Sequence, residues 1–509
     1  MAKKKKDKMY GPVLVIMYMI LGVGVLSFLL SLIGFESTRT IISNGTMETT
    51  LVTVKNLFSV DGLKYIVGNT VKNFRMFEPL VLLVISLLGI SISEKSGFLN
   101  ALFSPLKRVK LNIIIFLTVL CGVVSTVIGD YSYIFLLPLT GALYKYLGKN
   151  PILGTMTVFL GITLGYGAGV IFNYTDYSLS LLTIEAAKAD IDATFSYGLY
   201  SNIYMMIVST FVLTFVLTIL IDKYLTVKLA KRYIATEEEQ ELVVDKKAKK
   251  VSVLAGFIYL LLIIYMILPI KLPFAGILLD SEATRYIDKL FGASSPFGNG
   301  LVLIITLQLI ICGYLYGKKS GNIKTSHEFS LGLSMNFENL GFMFVLMFFI
   351  SLLMGIIDWT NLGVVFASKL IELVGSLQIS GIILIILFFI TVILMSILLP
   401  ATSKKWEIAS PVIVPLFMQS NITPNFTQFI FKAADSVGKA ITPIYMYYII
   451  MLAFIEKYRT NEKKQVSIFG ILKDMLPIII IMAIVWLLII IIWYVMALPI
   501  GFKTYAVLQ

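Results

Sequence analysis

Residues 379–420 read ISGIILIILFFITVILMSILLPATSKKWEIASPVIVPLFMQS. An apolar arm is interrupted by Leu399-Pro400-Ala401-Thr402-Ser403-Lys404-Lys405, and a second arm follows from Trp406. Crossing ~30 Å of hydrocarbon as a helix takes about 20 apolar residues, so each arm is short or marginal for a span. Non-helical backbone at that depth survives only when buried in protein or lining a cavity. The pattern predicts a re-entrant helical hairpin. Residues 111–146 repeat it, two apolar arms parted by Ser125-Thr126-Val127-Ile128-Gly129-Asp130, and predict a second hairpin.

The rest of the chain sets both in a membrane. Of its 509 residues 58% are hydrophobic and 14% charged, with a mean hydropathy of +0.91. A soluble domain carries about 25% charged residues, which excludes an ordinary globular enzyme. Continuous apolar blocks also exclude a transmembrane β-barrel, whose strands alternate. Nine crossings are expected near 12–33, 78–95, 152–173, 197–221, 252–270, 299–316, 338–357, 425–456 and 474–498. The last is the cleanest, with no charge from Ile478 to Leu498. The first follows Lys3-Lys4-Lys5-Lys6 but is too long for a signal-peptide core, and reads as an uncleaved helix. The expected class is an all-α polytopic membrane protein, nine transmembrane helices plus two re-entrant hairpins in an inverted-repeat arrangement.

Charge orients it. With a cytoplasmic amino terminus, the inside loops hold 27 of the 42 Lys and Arg, as the positive-inside rule asks. The carboxyl terminus then lies outside, and the membrane is the plasma (inner) membrane. The formal charge of +13 is therefore an orientation signal whose partner is the lipid bilayer, not nucleic acid. Hairpin 111–146 inserts from the cytoplasm and hairpin 379–420 from outside. Pro138 and Pro151 are spaced as Pro411 and Pro424 are, which suits an inverted-repeat secondary transporter. Residues 1–221 form the first half and 252–509 the second. The mixed-charge stretch 222–251, with Glu237-Glu238-Glu239, is the linker.

An ionisable residue inside a span is costly and marks function. Asp130 stands at the first hairpin tip. Asp176 follows Gly165-Tyr166-Gly167-Ala168-Gly169 and Asn173, glycines that unwind the third helix, or else it is interfacial. Asp435 lies in Lys432-Ala433-Ala434-Asp435-Ser436-Val437-Gly438, bracketed by Pro424 and Pro443. Pro443 removes a backbone bond and Gly438 adds flexibility. Freed carbonyls plus a carboxylate suit a coupling cation, while a structural Asp435–Lys432 pair is the bland alternative. The tip offers Ser403, Lys404, Lys405 and Trp406 to an anionic substrate with an aromatic part. Alternatively the lysines snorkel and Trp406 sits in the interfacial belt. Asp358-Trp359, Lys369 and Glu372 look like a short interfacial amphipathic helix.

Other chemistries are thinly supported. Cys121 and Cys312 have no metal spacing, the lone His327 sits in a polar loop, and no Walker loop exists. Ser403 and Lys404 are adjacent rather than one turn apart, poor geometry for an intramembrane dyad. A passive channel would repeat polar residues along its helices. No cofactor is expected beyond sodium or a proton as coupling ion.

Asn56 to Leu63, the first hairpin through Glu185-Ala186-Ala187, and Trp406 through Pro443 together resemble the aminobenzoyl-glutamate transporter (AbgT) family nearly end to end. The match is strongest in Ala434-Asp435-Ser436 with Trp406, Pro424 and Pro443. The resemblance implies a homodimer of nine-span protomers carrying p-aminobenzoyl-glutamate, or exporting sulfonamide-type antimetabolites, on an ion gradient. Asp176, Ser403, Trp406, Pro424, Asp435 and Pro443 match the family's functional positions. Substrate-holding roles fall to Ser403, Trp406, Pro424, Lys432 and Pro443, and ion coupling to Asp176, Asp435, Asn173 and Asp130. Departures are Lys432 for arginine, which loses the planar fork, and the charges of Lys404, Lys405 and Lys439 at neutral positions. An ammonium beside Asp435 would occupy the place of a coupling cation.

Overall fold

Proline opens the helices of this chain where its missing N–H costs nothing. Pro12, Pro79, Pro151, Pro296 and Pro424 all fall in the first two helical positions. Side-chain caps reinforce three of them: Asn150, Ser295 and Thr423 accept the backbone N–H groups that begin their helices. In this computed structural model, residues 11–508 are described except 44, 199, 231–242, 338–339 and 460–465. The Lys3–Lys6 run and Glu237-Glu238-Glu239 thus lie outside the described residues.

In chain order come α1 (Pro12–Leu32), the strands β1 (Glu36–Ser43) and β2 (Thr46–Thr53), α2 (Val60–Arg75), α3 (Glu78–Lys95) and α4 (Phe98–Phe103). The first broken segment is α5 (Leu111–Ser125) and α6 (Tyr131–Tyr146), followed by α7 (Pro151–Leu164) and α8 (Tyr174–Asp190). Next are α9 (Ile203–Leu220), α10 (Thr226–Leu229), α11 (Lys246–Met266), α12 (Tyr286–Phe291), α13 (Pro296–Ser320), α14 (Ser326–Ser334), α15 (Gly341–Trp359) and α16 (Leu362–Ser376). The second broken segment is α17 (Gly381–Met395) and α18 (Thr402–Gln419). After it stand α19 (Pro424–Ile441), α20 (Met446–Lys457), α21 (Ile468–Val495), and the strands β3 (Pro499–Gly501) and β4 (Thr504–Tyr505). The same order, broken helix pair then proline-initiated helix then break then helix, thus occurs twice.

Among the described residues eight helical segments are long and apolar enough to span a bilayer, or nine if α19 and α20, bent by 40° at their break, make one. The composition of that set differs from the sequence expectation. Residues 152–173, expected as one crossing, are the 14-residue α7 and a non-helical stretch to Asn173. Conversely Leu111–Ile128, expected as half a hairpin, is itself long enough. Two short hairpins add to the helical plan, β1 with β2 and β3 with β4. β-Branched runs such as Thr40-Ile41-Ile42 favour the first, and Ser37 ties it to α16 by donating to Glu372 at 3.0 Å. The proposed interfacial helix is α16 alone. Asp358 and Trp359 end α15 instead.

Non-helical backbone deep in the fold keeps its polar groups paired, as it must. At the end of α7, Trp486 donates its indole N–H to Leu164 O at 3.0 Å. Thr126 Oγ1 lies 3.3 Å from Ala168 O, and Gly169 N–H donates to Thr210 Oγ1 at 2.9 Å. Glycine lets the supporting helices touch: a Cβ on Gly161 of α7 would lie 3.1 Å from Val119 O of α5. The core therefore sits around α7 and α19. Every residue of α7 is buried, as is every residue of α19 from Pro424 to Ala440. By contrast α9 and α11 expose Phe211, Phe215, Phe257 and Leu261, apolar surface that lipid tails cover.

Candidate functional site

A helix buried all round should be apolar all round. α19 is not. Gln428, Lys432, Asp435 and Lys439 recur at helical spacing along it, and all four are buried. Each must find a polar partner, because an unpaired charge at that depth is strongly unfavourable.

The tips of the two broken segments supply part of that need. From 379–420, Thr402 Oγ1 donates to Asp435 Oδ2 at 2.6 Å, and Lys405 forms an ion pair with Asp435 Oδ1. Lys405 also donates to Ser396 Oγ at 2.6 Å, on the other side of the same break. Helix geometry explains the choice of lysine. Thr402 opens α18, and position 405 lies one turn on, facing α19, while 404 points outward. Lys404 is accordingly exposed and pairs with Asp358 at 2.8 Å. The two neighbouring lysines, equivalent in the sequence reading, thus do different things.

From 111–146, Asp130 approaches the other end of the stripe, its Oδ1 3.9 Å from Lys439 Nζ. The tip is closed by its own backbone, Gly129 N–H donating to Thr126 O at 2.9 Å with Gly129 at φ +61°, where glycine fits without strain. Lys439 Nζ lies 3.5 Å from Asp435 Oδ2 and 3.5 Å from the centre of the Tyr166 ring, a cation–π contact. It makes no hydrogen bond.

A second pair lies farther along α19. Lys432 is bonded to Asp176 Oδ1, not to Asp435, so the local Asp435–Lys432 pair considered from the sequence does not form. Asp176 occupies the first turn of α8, where the helix dipole favours a carboxylate. Asn173 is its cap, accepting from Asp176 N–H at 2.7 Å, and Asp176 Oδ2 has no hydrogen-bond partner. A cavity of 240 Å³ opens against Asp176, lined also by Tyr177, Ser180, Tyr197, Arg285 and Ile287. On the loop side, Arg285 Nε donates to Asp288 Oδ2 at 2.6 Å and holds that carboxyl below its ordinary range.

Trp406 is fully buried. Its ring lies 4.6 Å from that of Phe431, and its N–H donates to Thr183 Oγ1 at 3.0 Å. Ser403 is exposed, so these two residues do not line one surface. Pro424 starts α19, and Pro443 stands in the break before α20. Partners that the sequence reading passed over are Ser396, Thr183, Gln428, Tyr197 and Tyr166. Gln428 was findable, since it stands one turn before Lys432 on the same stripe. Gln428 Nε2 donates to Asp176 O at 3.2 Å and lies 3.1 Å from Tyr197 Oη.

Removing a surface ion pair usually changes stability by under about 1 kcal/mol, whereas stranding a buried partner costs about 3–5 kcal/mol. Lys404→Ala is therefore expected to unfold at nearly the wild-type temperature, and Lys405→Ala well below it. Equal losses in thermal unfolding of the two purified variants would contradict the assignment of Lys405 to Asp435.

Two helix breaks meeting on a charged, buried helix are the architecture of a carrier. The sequence model of the AbgT transporter family matches residues 2–508. This chain is a member of the AbgT family. The p-aminobenzoyl-glutamate transport protein of Escherichia coli (strain K12) is 26% identical over 496 residues, 97% of this chain and 94% of that one. The solved structure of Neisseria gonorrhoeae MtrF, described among a class of antimetabolite efflux pumps, covers 98% of each chain at 24% identity and a TM-score of 0.50. That of the Alcanivorax borkumensis YdaH transporter is 27% identical over 97% of this chain and all of its own, with a TM-score of 0.49. The AbgT protein is thus a multi-pass membrane transporter and not an enzyme, and its helices follow the fold of its solved relative.

Proposed function

We propose that this AbgT protein is a secondary active carrier of an anionic aromatic amide, p-aminobenzoyl-glutamate or a related antimetabolite. It works as a homodimer in the plasma membrane, amino terminus cytoplasmic and carboxyl terminus outside, driven by an ion gradient. One observation carries the reading: the break at 126–130 and the first turn of α18, just past the break at 396–401, approach the same buried helix, where Asp130 faces Lys439 and Thr402 and Lys405 meet Asp435. Moving either broken segment exchanges those partners, so solute exposure and charge pairing change together, as alternating access requires.

The cavity beside Asp176 supports the substrate class. The unpartnered oxygen of Asp176 suits an arylamine or amide N–H, while Arg285, also in the lining, is already paired with Asp288. A different anionic solute is the second reading. It is favoured by Lys432, which offers a point charge already held by Asp176 where a planar fork would grip a carboxylate.

Radiolabelled p-aminobenzoyl-glutamate flux in proteoliposomes under imposed proton or sodium gradients tests both. Concentrative flux that follows a gradient is expected, with excess unlabelled sulfonamide reducing it. Gradient-insensitive equilibration would mean a channel, and absence of flux would remove this substrate.

A further inference from the structure

Asp435 is the carboxylate on which a coupling cation was expected, and both of its oxygens are engaged. Oδ1 meets the Lys405 ammonium, while Oδ2 accepts from Thr402 at 2.6 Å and lies 3.5 Å from Lys439 Nζ. Lys405 and Asp435 are wholly buried, and Lys439 is 1% exposed. The nearby charges already sum to zero: two ammonium groups against Asp435 and, 3.9 Å from Lys439, Asp130. A sodium ion asks for several oxygen ligands in one shell. Here the ammonium groups of Lys405 and Lys439 stand against the oxygens of Asp435 in the cation's own place and would repel another cation. Among the described residues no cluster of three acidic, His or Cys side chains offers an alternative cation site.

We propose that Lys405 and Lys439 are tethered cations standing where sodium would sit on Asp435, so that this carrier operates without sodium. The remaining oxygens, Asp435 Oδ2, Asp130 Oδ1 and Thr402 Oγ1, form a latent cation site that the Lys439 ammonium closes. The inference rests on the carrier reading for its flux arm only.

Two measurements test it. Thermal unfolding of the detergent-purified protein is compared in sodium chloride and in choline chloride at equal ionic strength. The wild type is expected to unfold at the same temperature in both, and Lys439→Ala to gain several degrees in sodium alone. Lys439→Gln, which deletes the charge and keeps most of the side chain, serves if the alanine variant does not fold. In proteoliposomes, wild-type flux of p-aminobenzoyl-glutamate should keep its rate when choline replaces sodium on both sides. Sodium-dependent stabilisation or flux in the wild type would overturn the proposal, as would folded variants at 439 indifferent to sodium. No wild-type flux in either salt would instead count against the substrate reading and leave the unfolding comparison to decide this one.

Discussion

Asp435→Ala is expected to abolish gradient-driven flux and to lower stability by about 3–5 kcal/mol, the usual cost of breaking a buried ion pair from one side. The substitution strands Lys405, which has only Ser396 left to receive it, and deprives Lys439 of the nearer of its two carboxylates. Replacing both members by apolar side chains of similar volume should behave differently, because the desolvation penalty of each ion disappears with it. The double variant Asp435→Leu, Lys405→Met is therefore expected to regain the part of the stability lost by stranding Lys405, though not the part lost at Lys439, while remaining unable to transport. Thermal unfolding and proteoliposome flux on the same preparations separate the two effects. A single Asp435→Ala variant that unfolds and transports like the wild type would sink the assignment.

Gly438→Ala is expected to be damaging too, for a steric reason. A Cβ at this position would lie 2.2 Å from Ser396 Oγ and 2.7 Å from Ser396 Cβ, with Ile393 Cα at 3.3 Å. Either Ser396 leaves Lys405 or α17 moves away from α19. Overpacking of this kind costs about 1–3 kcal/mol, and transport falls with it because the shifted group belongs to the charge cluster. Ser396→Gly in the same chain removes the colliding atoms and should restore the unfolding temperature more than the flux. If Gly438→Ala alone leaves both readouts unchanged, the two helices do not pack as closely as described. Gly438 thus has a different part from the flexibility suggested by the sequence: α19 is regular through it, and the break comes at Thr442 to Tyr445.

Much of the plan was legible in the chain. Apolar runs announced the helices because backbone N–H and C=O groups in hydrocarbon must be paired within the segment. The interruption read at 125–130 is the break at 126–130, whereas the one read at 399–405 falls at 396–401, because Thr402 to Lys405 already form the first turn of α18. The two proline pairs at equal spacing reappear as matching helix starts, Pro151 and Pro424, each after a helix containing the other proline. Lengths were harder. Residues 152–173 looked like one span because their apolar count is sufficient, yet Gly165 ends the helix, and the carbonyl of Leu164 is taken by Trp486 from 322 positions away. The short strands near the amino terminus were overlooked, their β-branched run being weak beside the apolar blocks.

By itself, then, the sequence determined that charged residues interrupt an apolar chain and at what helical spacing, since hydropathy and periodicity are local properties. The stripe of Gln428, Lys432, Asp435 and Lys439 follows from those alone. Partner choice was decided only by the tertiary structure. Lys432 takes Asp176, 256 residues distant, rather than Asp435 on its own helix. Lys405 turns inward and its neighbour Lys404 outward, because only one of the two faces α19. An ion pair depends on distances of a few ångströms between segments that the chain does not make neighbours, and those are set by packing.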